Sequence, residues 1–273
     1  MTKTILLTGA TDGIGFEAAR MLVSLGHHVI LHGRNPAKLD SVEASLRAEY
    51  PEASLDQCVA DLSNLAEVQA MAAAVLADHP HLDVVINNAG ILRTEPTMTA
   101  DGLDIRFVVN TIAPYYLTQQ LSSALDQDSR VVNLSSAAQA PVDPEALAGN
   151  VSLDHQEAYA QSKLALTMWS MHLGLDKAES DPMMVAVNPG SLLATKMVKE
   201  GFGIDGSDIG IGATIVTQAA LDESFADASG TYFDNDARRF ADPHPDALNV
   251  EIRQQVVDQV GAIIEQLIPD SKA

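Results

Sequence analysis

The sequence predicts a doubly wound α/β fold on a parallel sheet of seven strands. Short apolar, β-branched runs alternate with longer segments of helical period from residue 4 onward. A glycine-rich turn at residues 8–15 joins the first strand pattern to the first helix pattern. No linker, repeat or low-complexity tract interrupts the alternation, so residues 1–273 read as one domain. Such a sheet needs helices on both faces, and right-handed crossovers then produce the doubly wound topology.

The elements follow in order. Residues 4–8 form a strand, and 14–25 a helix with Ile14, Ala18, Met21, Leu22 and Leu25 on one face. Residues 28–32 form a strand and 36–49 a helix, with Pro36 in its first turn, where the missing N–H costs little. A strand at 54–60, a helix at 64–77 and a strand at 82–86 come next. A long helix at about 101–123, a strand at 130–134, a helix at 156–175 and a strand at 183–188 follow. The tail holds a helix near 207–222, a strand near 230–233 and a helix near 245–268. Residues 137–155 and 189–206 read as long loops. Both follow strands, which places them above the carboxyl edge of the sheet, where ligands bind in such folds.

Composition narrows the function classes. Apolar residues make up 47% of the chain, enough for a large core. No run of about 18 apolar residues occurs, so no membrane span is expected. The strand pattern starts too early to leave space for a secretory signal. Cys58 is the sole cysteine. It fits a reducing, cytoplasmic setting and, among Leu55, Val59 and Ala60, reads as an inert strand thiol. The net charge of −21 argues against nucleic acid and anionic membrane as partners. The acids are spread along the chain, as on a highly soluble surface or that of a salt-adapted protein. The histidines show no ligand spacing: His27 and His28 start a strand, while His79, His81 and His244 flank prolines. No metal is expected.

The turn Thr8-Gly9-Ala10-Thr11-Asp12-Gly13-Ile14-Gly15 suits a dinucleotide. Its glycines let backbone approach a pyrophosphate, and the helix start offers N–H groups and partial positive charge. Asp12 can cap that helix. A plain strand–helix turn is the competing reading. The second strand ends in Leu31-His32-Gly33-Arg34-Asn35, with no carboxylate to hold the ribose 2′-OH of NAD. Arg34 can instead pair with a 2′-phosphate and stack on adenine, which favours NADP over NAD. The competing reading is a solvated arginine.

Tyr159 and Lys163 stand four residues apart on a helix, one turn apart on one face. A phenol with a pKa near 10 is a poor acid–base catalyst at neutral pH. A nearby ammonium would stabilise the phenolate and lower that pKa. Such a tyrosine can give a proton to a carbonyl oxygen, or take one from an alcohol. Strand 130–134 leads into Ser135 and Ser136. Asn110 lies on the helix at 101–123, and Pro114 removes the helix bond to its carbonyl. A local distortion there would free that carbonyl for a water.

The glycines at 9, 13 and 15, Asp61-Leu62, Asn87-Asn88-Ala89-Gly90, Ser136, the Tyr159/Lys163 pair and Asn188-Pro189-Gly190 occur in order on the appropriate elements. Together they resemble the short-chain dehydrogenase/reductase family over residues 3 to about 236. The 23-residue gap from Ser136 to Tyr159 exceeds the family's usual one. That gap and Ser229-Gly-Thr-Tyr-Phe233 resemble its retinol-dehydrogenase-like branch. The gap also leaves Ser135 as an alternative to Ser136.

The resemblance implies a single Rossmann-type oxidoreductase domain using NADP, with Asn110, Ser136, Tyr159 and Lys163 catalytic. Gly9, Thr11, Asp12, Gly13, Ile14 and Gly15 would cradle the phosphates, and Arg34 would read the 2′-phosphate. Asp61 and Leu62 would contact adenine. Asn87 would steady the sheet, while Asn88, Ala89 and Gly90 would line the ribose pocket. Lys163 would also hold the nicotinamide ribose, Asn110 a water leading to it, and Ser136 the substrate oxygen. Pro189 and Gly190 would flank the nicotinamide. The family's threonine four residues after that glycine is replaced by Ala194, with Thr195 one later, so the carboxamide contact stays unassigned.

The implied reaction interconverts a carbonyl and an alcohol. Competing readings are a non-catalytic NADP-binding regulator on the same fold and an epimerase or dehydratase, which the glycine spacing and chain length oppose. The two long loops carry Leu147, Val151, Leu153, Leu192, Leu193, Met197 and Phe202, which suits a mainly apolar small substrate, with residues 191–206 as a lid. In the family the helices at 101–123 and 156–175 often pair across a two-fold axis. Here Leu164, Leu166, Met168, Trp169, Met171, Leu173 and Leu175 point several ways around the second one. Such a helix needs more than one cover: a second subunit in a homodimer, the 137–155 loop, or the C-terminal helix.

Overall fold

The structure is a computed structural model, and it describes residues 1–269. β1 (Thr4–Leu7) leads through the glycine-rich turn to α1 (Gly13–Ser24), then β2 (His28–Gly33), α2 (Pro36–Glu49), β3 (Ser54–Val59), α3 (Leu65–Asp78) and β4 (Val84–Asn87). α4 (Ile105–Phe107) passes through a π-helical segment, Val108–Ile112, into α5 (Ala113–Gln120). Then come β5 (Arg130–Leu134), α6 (Pro144–Leu147), α7 (His155–Leu175), β6 (Met183–Asn188), α8 (Lys196–Phe202), α9 (Ile209–Leu221), β7 (Thr231–Asp234), β8 (Arg239–Phe240), α10 (Pro245–Leu248) and α11 (Val250–Leu267).

One sheet runs in the order β3-β2-β1-β4-β5-β6-β7-β8. Its first seven strands are parallel, and β8 pairs antiparallel with β7. The expected count of seven becomes eight because β8 is two exposed residues, too short to leave a periodic signal. The period of two along each strand divides the core. Leu6, Ile30, Val85, Val131 and Met184 face a layer with residues of α3, α5, α7 and α11. Ile5, Leu7, Val29, Leu31, Ile86 and Val185 face a layer with residues of α1, α2 and α9.

Leu7 pairs with Leu31 on one side and Ile86 on the other. Crossovers therefore leave β1 in opposite directions, which opens a crevice above the carboxyl ends of β1 and β4. Most of the expected cofactor residues lie on the loops there.

Several boundaries differ from the sequence reading for local reasons. Leu25 is not on the buried face of α1. It is the C-cap, 59% exposed, and Ala18, Ala19, Leu22 and Val23 are buried instead. The helix expected from 101 starts at Ile105, where Asp104 accepts from the Arg106 N–H, after a turn with Gly102 at φ 80°. The distortion expected near Pro114 is the π segment: the Ala113 N–H reaches back to the Val108 carbonyl, five residues away. The two long loops each hold a short helix, α6 and α8. The tail helix is divided at Asn249, whose side chain caps α11 by accepting from Ile252 N–H.

Candidate active site

The glycine-rich turn is held from below by residues the sequence reading had not assigned. Thr8 Oγ1 donates to the Ile86 carbonyl and accepts from the N–H groups of Asn88 (3.0 Å) and Ala89 (3.1 Å). His32, 3% exposed, accepts the Gly9 N–H at Nδ1 (3.2 Å) and lies 3.1 Å from the Ala60 carbonyl at Nε2. The carbonyl of His32 takes the Ala10 N–H. Burial lowers its pKa to about 4, so the ring is neutral at pH 7. It ties β2, the turn and the end of β3 together. Its signal in sequence was a polar side chain inside the apolar run of β2.

Gly15 is obligatory, since a Cβ there would lie 2.1 Å from the Gly9 carbonyl oxygen. Gly33 lets Thr11 pack over β2, where a Cβ would meet its methyl at 2.6 Å. Asp12 caps α1, accepting the Gly13 N–H at 2.7 Å. Ile14 packs where α9 approaches, 3.2 Å from the position a Gly212 Cβ would take. Arg34 is exposed beyond the end of β2 and, among the described residues, makes no ion pair.

The polar residues after β3 and β4 serve the loops as well as any ligand. Asp61 accepts from the backbone and hydroxyl of Ser63, and Leu62 is buried in the core. Asn87 donates to Asn133 on the neighbouring β5 (2.8 Å) and to Thr118 on α5 (3.2 Å). Asn88 turns its amide to the carbonyls of Thr8 (2.8 Å) and Gly9 (3.1 Å), locking the β4 loop to the glycine turn.

The four expected catalytic residues converge. Ser136 adjoins the Tyr159 phenol and holds its pKa down, and its Oγ accepts the Ala138 N–H at 3.1 Å. Ser135 points elsewhere, 2.6 Å from Thr167 on α7, and is buried. The geometry therefore gives the place beside Tyr159 to Ser136. The Ser136 carbonyl accepts from Gln139 Nε2 (3.0 Å) and Tyr232 OH (3.2 Å), so β7 also fixes this loop. Asn110 is fully buried. It accepts the Ile91 N–H and donates to the Ile91 carbonyl and to Ser162 on α7. A Cβ on Gly90 would lie 3.3 Å from Lys163 Nζ and 3.4 Å from Asn110 Oδ1, so these groups meet at the β4 loop.

One electrostatic expectation is corrected. Helical spacing alone suggests that Lys163 depresses the Tyr159 pKa. Here the Lys163 ammonium, 5.8 Å from the phenol ring centre, donates to the Leu134 carbonyl at 2.7 Å. Loss of water raises the phenol pKa, opposed by the neighbouring Ser136, and burial lowers Lys163 to about 8.

After β6, Gly190 has φ 122° and donates to Asn188 Oδ1, while Asn235 holds the Pro189 carbonyl. Thr195 caps α8, accepting from Val198 N–H at 3.2 Å, and lies against Gly13 of the glycine-rich turn. Leu193 is buried, whereas Leu192 and Val151 are exposed. Leu147 is spent in the core and leaves the expected apolar lining. The side chain of Phe202 lies outside the described residues.

The chain itself fits a nicotinamide dinucleotide. Among the described residues, Lys163 uses one of its three N–H donors on protein. The N–H groups of Ile14 and Gly15 at the start of α1 have no partner among the described residues. Arg34 stands free at the tip of β2.

Residues 3–202 match the family model described as short chain dehydrogenase, and the chain belongs to that family of oxidoreductases. Within it the chain falls in the retinol-dehydrogenase-like branch. It is 29% identical to retinol dehydrogenase 13 of Homo sapiens over 93% of this chain and 82% of that one. It is 31% identical to short-chain dehydrogenase TIC 32 A, chloroplastic, of Brassica napus over 84% and 79%. A Shigella flexneri short chain dehydrogenase complexed with NADP superposes with a TM-score of 0.70, at 26% identity, over 86% of this chain and 97% of that one. No helix among the described residues is long and apolar enough to cross a membrane.

Proposed function

We propose that this chain is an NADP(H)-dependent oxidoreductase that interconverts a carbonyl and an alcohol, with Tyr159 as general acid and base. The observation that carries the reading is the convergence of Ser136, Tyr159, Lys163 and Asn110 at the open crevice of the sheet. Bound there, the nicotinamide supplies or accepts the hydride.

The remaining steps belong to the protein. Ser136, its oxygen held by Ala138 N–H, donates to the substrate oxygen and orients it. Tyr159 passes its proton to that oxygen in reduction and takes one in oxidation. Lys163 holds ribose hydroxyls with its two spare N–H groups, and the positive charge brought near the phenol then offsets the burial that raises its pKa. Asn110 fixes the β4 loop through Ile91 and ties it to α7 through Ser162.

The free Arg34 supports NADP, as does the NADP complex of the Shigella protein. The retinol relatives and the apolar residues of the 189–206 segment support a mainly apolar alcohol or carbonyl substrate. The test is a panel of aldehydes, ketones and secondary alcohols, followed by absorbance of the reduced cofactor with NADP(H) and NAD(H). Turnover of an apolar member with NADP(H) supports the reading. Cofactor binding without turnover of any member would instead support a non-catalytic NADP-binding regulator.

A further inference from the structure

The amino ends of the strands, opposite the active-site crevice, carry a second cluster. β2 and β3 begin in register, with His28 facing Ser54 across the ladder. Asp56, two residues on from Ser54, projects from the same face of the edge strand β3. His79 caps the end of α3 above that face.

Three elements thus bring two imidazoles to one carboxylate oxygen. His28 Nε2 is 3.1 Å and His79 Nε2 is 3.2 Å from Asp56 Oδ2. All three atoms lie within 4.8 Å of one another. The rings are 5.3 Å apart and tilted by 42°. His28 Nδ1 is engaged by Ser54 Oγ at 2.6 Å, which orients the ring and turns Nε2 into the cluster. That Nε2 is shut off from solvent and makes no aligned hydrogen bond, although the carboxylate is close. A buried nitrogen aimed at an anion, with its other nitrogen fixed by a hydroxyl, is the arrangement of a metal ligand with its outer-shell partner.

We propose that His28, Asp56 and His79 bind one first-row divalent transition-metal ion, of which Zn²⁺ is the type. Two imidazoles and one carboxylate suit such ions, whereas Mg²⁺ and Ca²⁺ prefer oxygen ligands alone. Bonds of about 2.0–2.1 Å put tetrahedral neighbours about 3.3 Å apart, close to both imidazole-to-carboxylate separations. The histidine side chains are 18% and 17% exposed and Asp56 is 51% exposed, so the ion enters beside Asp56 and completes its shell with water. The net charge of −21 attracts cations to the surface. Bound there, the ion clips the edge strand β3 and the end of α3 to β2, away from the proposed catalytic residues.

The test is calorimetric titration of the metal-stripped full chain with Zn²⁺, alongside Asp56→Asn, His79→Ala and Ser54→Ala, each checked for native circular dichroism. One equivalent should bind. His79→Ala should abolish that site. Asp56→Asn keeps a hydrogen-bonding group but loses the charge, and should bind at least about 10-fold more weakly. Ser54→Ala should weaken binding about 10–100-fold, as loss of an outer-shell partner does. Saturating Zn²⁺ should raise the urea midpoint of the parent chain and leave that of His79→Ala unchanged. An absence of stoichiometric binding would overturn the proposal. Parental affinity retained in both His79→Ala and Asp56→Asn would also overturn it, because the ion would then sit on other surface groups.

Discussion

Tyr159, Ser136 and Arg34 are where single side chains would carry the proposed chemistry. Replacing Tyr159 with Phe removes the proton donor while keeping the ring in place. Turnover should fall by about 10²–10⁴-fold, and the NADPH dissociation constant measured by fluorescence should barely change. Near-parental turnover would remove the tyrosine from the mechanism. Arg34→Asp replaces a free guanidinium with a carboxylate that repels the 2′-phosphate. A charge-assisted contact worth about 1.5–3 kcal/mol predicts about 10–100-fold weaker NADP(H) binding, with NAD(H) gaining relative to it. Titration with both cofactors measures the ratio. At this scale the candidate residues were legible because each motif is local. The direction of Lys163 Nζ was not, since the Leu134 carbonyl that receives it belongs to another element.

His32 shows how whole elements are tied together. Its neutral ring takes the Gly9 N–H from the turn and meets the Ala60 carbonyl after β3, so it works only uncharged. Its pKa falls from 6.5 unfolded to about 4 folded because burial excludes water. The unfolded chain therefore binds the proton more readily between those values. The stabilisation is fully present above pH 6.5 and is lost as pH falls through about 4, an effect of about 3 kcal/mol. Urea unfolding at pH 7 and pH 4.5 should show this loss in the parent chain. In His32→Gln the acid-dependent part should shrink, while stability at pH 7 falls because Gly9 and Ala60 lose their partner. An equal pH slope in both chains would refute the role. At the same scale, the distortion near Asn110 was legible from Pro114, because a missing N–H is a local property. Its form as a π segment depends on the packing of α4 and α5 against α7.

The homodimer expectation is a question for the whole molecule. Most of the extra apolar surface of α7 is covered within the chain. Trp169, Leu164, Leu166 and Met168 are buried in one core with Val256, Val257, Val260, Ile263 and Ile264 of α11. Trp169 also meets Tyr115 edge-on at 5.6 Å. The C-terminal helix thus covers these residues, while Leu175 at the end of α7 stays exposed, and the homodimer remains a proposal for measurement. Sedimentation at micromolar protein and moderate salt should give a species near 29.0 kDa. A mass of twice that value would locate a dimer face elsewhere. Removing α11 should expose this core and cause aggregation or loss of cooperative unfolding, read by light scattering and urea titration.

The sequence by itself determined the alternation of elements, the parallel sheet, the glycine-rich turn and the residue types of the site. Those features rest on periodicity, backbone freedom and spacing within one segment, all of which act over a few residues. Tertiary structure decided which serine meets Tyr159, where Lys163 donates, that Leu147 is core, that α11 covers α7, and that His28, Asp56 and His79 meet. Each of these depends on the register or packing of segments far apart in the chain. No local pattern carries that information, because it is set by how the two apolar layers close on the sheet.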